Sequence, residues 1–158
     1  APLRGKRVLM LGAGGAARGA LLPLLNTMPS ELVLANRTKS KAQDLAASFG
    51  NEGNITACGL DDLSGESFDV VLNATSASLS GTMPAVPASV FATHAIAYEL
   101  VYGKGLTPFL KLAQSAGVTR LTDGVGMLVE QAAEAFAWWR GVRPDTQAVI
   151  KQLTVPLV

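Results

Sequence analysis

Residues 8–19 read Val8-Leu9-Met10-Leu11-Gly12-Ala13-Gly14-Gly15-Ala16-Ala17-Arg18-Gly19. An apolar run of strand type enters a glycine turn, after which Ala17, Ala20, Leu21, Leu24 and Leu25 recur at helical spacing. The order is therefore strand, tight turn, helix, with Gly12-x-Gly14-x-x-Ala17 at the junction. This is a dinucleotide fingerprint with alanine as its third small residue. Gly12 permits the turn, Gly14 lets backbone approach a pyrophosphate, and Ala17 lets the helix lie close to the strand. The helix start offers unpaired N–H groups and partial positive charge to phosphates.

The rest of the chain repeats the alternation. Strands are expected at 31–35, 55–58, 68–75, 95–101 and 118–121. Helices are expected at 15–25, 40–49, 107–117, 126–139 and 144–153, with Pro23 kinking or loosening the first. Residues 60–66 read as a loop or single helical turn, and residues 76–87 as a loop. The expected fold is α/β: a doubly wound, mostly parallel sheet (a Rossmann-like dinucleotide-binding domain) with C-terminal helices. Residues 1–123 would form the dinucleotide-binding domain and 124–158 the final helices.

Bulk properties narrow the function. The 158 residues suffice for one core. A net charge of +1 gives no electrostatic case for nucleic acid or a membrane surface. No apolar run approaches the roughly 18 residues of a membrane helix. Cys58 is alone, so no intrachain disulfide forms, which fits a reducing cytoplasm. It is expected as a small buried hydrophobe. The start, Ala1-Pro2-Leu3-Arg4, is not a signal peptide and reads as a cut or processed end. Hydrophobic residues make up 49% and charged ones 16%, against about 25% charged in ordinary soluble domains. An Ala- and Leu-rich protein with buried strands explains part of this; surface normally covered by something else explains the remainder.

Ligands of such sheets sit beyond the carboxyl ends of the strands. After the second strand, NAD sites usually carry an acid for the ribose 2′-OH. Here the chain has Asn36-Arg37-Thr38, with Lys41 one turn on. A carboxylate would repel a 2′-phosphate, whereas a guanidinium grips it. Basic residues in a first helical turn oppose the dipole, so a bound anion explains them better than solvation does. The expectation is NADP(H) rather than NAD.

The chain resembles shikimate dehydrogenases over essentially its whole length, in their NADP-binding domain and the helices after it. The matching segments are the glycine turn, Asn36-Arg37-Thr38, Asn73-Ala74-Thr75-Ser76, Tyr102 with Thr107-Pro108-Phe109-Leu110, and Asp123-Gly124-Val125-Gly126-Met127-Leu128-Val129-Glu130-Gln131-Ala132. The resemblance implies reduction of 3-dehydroshikimate to shikimate with NADPH. It assigns Gly12, Ala13, Gly14, Gly15, Ala16 and Ala17 to the pyrophosphate turn. Asn36, Arg37, Thr38 and Lys41 fall at the 2′-phosphate, and Ala74, Thr75, Ser76, Leu100, Gly124 and Met127 around the nicotinamide. Tyr102 and Gln131 would reach the substrate; their plain alternatives are a half-buried aromatic and an exposed helix residue.

No catalytic residue is expected in this chain. In the resembled family a Lys–Asp pair on an N-terminal substrate domain donates the proton, and this chain begins after that domain. Lys104 with Asp123 is a weak substitute, and His94 reads as a surface residue before a strand. The sequence departs from the family at Glu99, where Asp is commoner, at Gly103-Lys104-Gly105, where Pro is, and at Ala77-Ser78, where glycine is. The final helices carry apolar residues on more than one side, Trp138 and Trp139 among them, so they would pack on the substrate domain or pair in a homodimer. A quinate-oxidising relative and a non-catalytic NADP-binding module remain open alternatives.

Overall fold

Apolar residues alternate between the two faces of a parallel sheet in the computed structural model, which describes residues 3–103 and 105–157. The strands are β1 (Arg7–Leu11), β2 (Glu31–Asn36), β3 (Ile55–Gly59), β4 (Phe68–Asn73), β5 (Phe91–Glu99) and β6 (Arg120–Thr122). Their order is β3-β2-β1-β4-β5-β6, all parallel. Val8 and Met10 of β1 point into one core with Ala17, Leu21 and Leu25 of α1 (Gly15–Leu25) and Ala42, Leu45 and Ala46 of α2 (Lys39–Ala47). Leu9 and Leu11 point the other way, toward Phe109, Leu110 and Ala113 of α3 (Pro108–Ser115). Because helices cover both faces of β1 and β2, these strands read as continuous apolar runs.

The chain leaves β1 toward β2 and β3, then returns to β4 on the other side. This reversal leaves a crevice at the carboxyl ends of β1 and β4. Two helices follow the sheet, α4 (Val125–Arg140) and α5 (Gln147–Leu153). Val125, Val129 and Ala133 of α4 are buried, whereas Trp138 and Trp139 are 88% and 75% exposed. None of the described helices is long and apolar enough to cross a membrane.

Several boundaries differ from expectation. β5 begins at Phe91, not Ala95, because its ladder slips: Phe68 pairs with Phe91 but Val70 with Ile96. His94 sits in that bulge with φ +66°, exposed but inside the strand rather than before it. β6 is Arg120–Thr122 instead of 118–121, since Val118 N–H is taken by Ala113 O at the end of α3. α5 starts at Gln147, where Asp145 Oδ1 accepts from Gln147 N, not at Pro144. The 76–87 segment contains a short 3-10 turn, Ala77–Ser80. α1 carries Pro23 and still runs to Leu25. Cys58 is half-buried against the α3-side core, and burial pushes its thiol pKa up.

The amino ends of the central strands are tied by Arg7, whose guanidinium donates to Glu31, Glu66 and Ser67 O and lies 4.7 Å from the Phe68 ring centroid. Asp69 accepts from the Arg7 backbone N–H at 2.9 Å and from Lys6 Nζ. These bonds, the backbone one first, hold its carboxyl below the usual range. A lowered folded pKa adds stability above the ordinary carboxylate pKa and loses it as pH falls through the folded value. Asp69→Asn should therefore be less stable at neutral pH by up to about 1 kcal/mol, the scale of an exposed pair. Urea titrations should show the gap closing below about pH 4.

Candidate functional site

The glycine turn is shaped by a close approach between neighbouring strands. Leu11 is level with Asn73 across the β1–β4 ladder, so the next residues, Gly12 and Ala74, lie side by side. Gly12 has φ +104°, and its N–H donates to Ala35 O at 2.8 Å. A Cβ there would lie 3.1 Å from both Ala74 O and Thr75 Cγ2. Glycine is thus demanded by conformation and by space. Gly14 and Gly15 have nothing within 4 Å of an added Cβ. They face an open cleft, where only a ligand would need them small. Gly14 caps α1 without a side-chain bond, and the first turn holds no acid. The leading N–H groups of α1 are left for an anion. Ala17 is buried against β1 and faces no ligand space.

The cleft beyond the turn measures about 1010 Å³. Gly12 to Ala16, Asn36, Arg37 and Ala74 to Ser76 all line it. A side niche of about 200 Å³ opens between Ala13-Gly14 and Asn36, Arg37, Thr38 and Lys41. Thr38 caps α2 with no side-chain bond, and Asn36 Nδ2 donates to Thr38 O. Among the described residues Arg37 and Lys41 have no ion pair, whereas Lys39 Nζ meets Asp62 Oδ2 at 2.8 Å. Lys39, together with the Gly59 N–H, holds the Asp62 carboxyl below its usual range, and Asp62 raises Lys39 in turn. The niche therefore presents two uncommitted cations, a hydroxyl and backbone. That donor set fits a phosphate, and the open turn fits a pyrophosphate, so the residues present suit a 2′-phosphorylated dinucleotide.

The remaining expected residues lie elsewhere. Leu100, Met127 and Gln131 line a second groove of about 770 Å³, along the uncovered face of β4, β5 and β6. Gly15 and Ala16 border both spaces. Tyr98 borders the groove too; burial, then the Asp123 charge, raises its pKa against a hydrogen bond from Met127 N–H. Gly124 is packed under Leu100, where a Cβ would overlap the carbonyl oxygen. Tyr102 is exposed and lines neither space. Asp123 is buried, accepting from Val125 N and Gly103 N ahead of α4. Lys104 lies outside the described residues, so its pairing with Asp123 has no placement.

Two features were missed in the sequence. Gly59, which ends β3, and Leu60, Asp61 and Asp62 after it line the cleft; their signal is their place at the carboxyl end of a strand, like that of the other site residues. The second is a buried network. Glu99 is fully buried and accepts from Ser78 Oγ at 2.6 Å, Thr107 Oγ1 at 3.0 Å, Asn73 Nδ2 at 3.1 Å and Val101 N at 3.3 Å. Its signal was an acid inside an apolar strand. Glu99 and Ser78, noted separately as departures, thus touch each other.

Six parallel strands in this order, with a glycine turn at the crevice, define the doubly wound, Rossmann-like class of α/β domains. The family model described as shikimate / quinate 5-dehydrogenase matches residues 1–82, and that of the shikimate 5′-dehydrogenase C-terminal domain matches residues 124–154. The chain belongs to the shikimate / quinate 5-dehydrogenase family. It is 56% identical, over 96% of its length, to a shikimate dehydrogenase (NADP(+)) of Aromatoleum aromaticum. It is 55% identical, over 94%, to the protein of that name in Nitrosospira multiformis. The crystal structure of an Ael1 enzyme from Pseudomonas putida superposes with a TM-score of 0.94, at 62% identity over 99% of this chain and 58% of that one. The chain spans 56% and 54% of the two curated relatives, about half their length.

The Gly124 contact separates packing from helix propensity. Gly124→Ala should destabilise the chain by about 1–3 kcal/mol, the cost of overpacking. Gly126→Ala, whose Cβ meets nothing, should stabilise it by roughly 0.5–1 kcal/mol. Thermal melts of both variants check the opposite signs.

Proposed function

We propose that this chain is the NADP(H)-binding part of a shikimate dehydrogenase, which reduces 3-dehydroshikimate to shikimate. The observation that carries the reading is the niche of Gly14, Asn36, Arg37, Thr38 and Lys41 beside the glycine turn. It has no carboxylate to receive a 2′-OH and two uncommitted cations to receive a 2′-phosphate. The names of the relatives, shikimate dehydrogenase (NADP(+)), support the same cofactor and substrate.

When bound, NADPH supplies a hydride to a ketone carbon, and the alkoxide so formed takes up a proton. The residues of this chain bind and orient. The backbone from Gly12 to Ala16 and the start of α1 take the pyrophosphate, with Ala17 seating the helix. Arg37 and Lys41 grip the 2′-phosphate, Asn36 and Thr38 fixing the turn that presents them. Ala74, Thr75 and Ser76 form one wall at the nicotinamide end, and Leu100, Gly124 and Met127 the other. Tyr102 and Gln131 extend toward the substrate. The proton donor belongs to a substrate domain, as in the resembled family.

Residues 124–158 are proposed as the surface against which that domain packs. Phe136, Trp138, Trp139 and Val142 are exposed on it, and the groove over β4–β6 is predominantly apolar. A second copy of the chain is the competing occupant, and light scattering at high concentration separates a dimer from a monomer. A cytoplasmic site of action accompanies the NADPH reading.

Calorimetric titration with each cofactor tests the proposal. NADP⁺ should bind at least about tenfold tighter than NAD⁺, since a charge-assisted bond contributes about 1.5–3 kcal/mol. Arg37→Ala should weaken NADP⁺ by roughly ten- to a hundredfold and NAD⁺ by less than about threefold. Equal affinities for the two cofactors would overturn the 2′-phosphate assignment.

A further inference from the structure

A fully buried acid needs a reason. Desolvation makes a carboxyl group costly in a core unless each oxygen is hydrogen-bonded, and an apolar residue of similar size serves stability as well or better. Glu99 is 0% exposed, at the end of β5, level with Asn73 at the end of β4. Its Oε2 accepts from Ser78, Thr107 and Asn73, and its Oε1 from Val101 N–H. Four segments meet there: the end of β4, the 3-10 turn, the loop after β5 and the cap of α3.

The consequence reaches the cleft through Asn73. An amide has two ends, and Glu99 takes the NH₂ end, so Oδ1 must face the other way. There it accepts from Thr75 N at 3.1 Å and from Thr75 Oγ1 at 2.7 Å. Thr75 Oγ1 in turn accepts from Ala77 N. This sets the Thr75 rotamer, with its hydroxyl toward Asn73 and its methyl facing Gly12. Ser78, also buried, pins the turn whose neighbours Ala77, Ser80, Thr82 and Met83 form the cleft wall. The wall is thus held from behind by Glu99 as well as by its own turn, where Ser80 and Thr82 donate to Ala77 O.

We propose that Glu99 is a positioning residue: through Asn73 and Ser78 it holds Thr75 and the 76–83 wall in the arrangement that admits the nicotinamide half of the dinucleotide. This rests on the cofactor reading above. The adenosine half, over Arg37 and Lys41, lies beyond its reach.

Glutamine at position 99 tests this. It has one acceptor oxygen, so its NH₂ must face either Val101 N–H or the Asn73 NH₂ group, and both of those only donate. Ser78→Ala is a milder variant that leaves Glu99 three partners. The first readout needs no ligand. Amide exchange at Thr75 and Ala77 should quicken in both variants, while Gly12 N–H, bonded to Ala35 O, keeps its rate. The second compares two ligands. Glu99→Gln should weaken NADP⁺ about tenfold and Ser78→Ala about threefold, with adenosine 2′,5′-bisphosphate changed by less than about twofold. Parallel loss of both ligands, or unchanged exchange at Thr75 and Ala77, overturns the proposal. A wild-type chain that binds neither ligand overturns the cofactor reading instead, and the exchange rates alone then decide whether Glu99 holds the wall.

Discussion

The approach of Gly12 to Ala74 and Thr75 is the constraint on which the molecule's crevice depends. Parallel strands of a sheet lie only about 4.8 Å apart. At the carboxyl ends of β1 and β4 the chain must turn outward on both sides without filling the gap. Gly12 does so with a left-handed φ and no side chain, while its N–H stays bonded to Ala35 and Ala74 N–H to Leu11 O. A side chain at this position would push the two strand ends apart. With the gap kept open, α1 begins with unpaired N–H groups directed at the cleft, Asn36 and Arg37 look onto it from the end of β2, and Lys41 of α2 lines the niche beside it.

The two ends of the sheet use charge differently. At the amino ends Arg7, Glu31, Glu66, Lys6 and Asp69 pair with one another at partly exposed positions, where such pairs contribute little stability. At the carboxyl ends one exposed pair, Lys39–Asp62, stands beside Arg37 and Lys41, which have no ion pair among the described residues, while Glu99 is buried and hydrogen-bonded. Among the described residues no buried side-chain polar atom lacks a partner. Charge at this end therefore serves shape and recognition more than stability, the usual arrangement where a ligand is to be held.

The apolar composition has a structural counterpart. On the α1–α2 face, helices cover β1, β2 and β3, but the β4–β6 half lies open as a groove between α1 and the start of α4. The exposed Trp138 and Trp139 lie on the same α4. A doubly wound sheet normally has helices over both faces, and this chain spans about half the length of its curated relatives.

The sequence by itself determined the fold class, the glycine turn, the basic end of β2 and most element boundaries. These depend on local rules: period-two and period-3.6 patterns, the conformational freedom of glycine, and charge adjacent to a strand end. Tertiary structure alone decided the bulge that lengthens β5 around His94, because a register slip involves two strands at once. It alone divided the expected site residues, placing Arg37 and Lys41 by the cleft and Met127 and Gln131 by a second groove. It alone joined Glu99 to Ser78 and Asn73, residues far apart in sequence with no common pattern. A hydrogen-bond network of this kind is specified by where strands end in space, which no single stretch of the chain records.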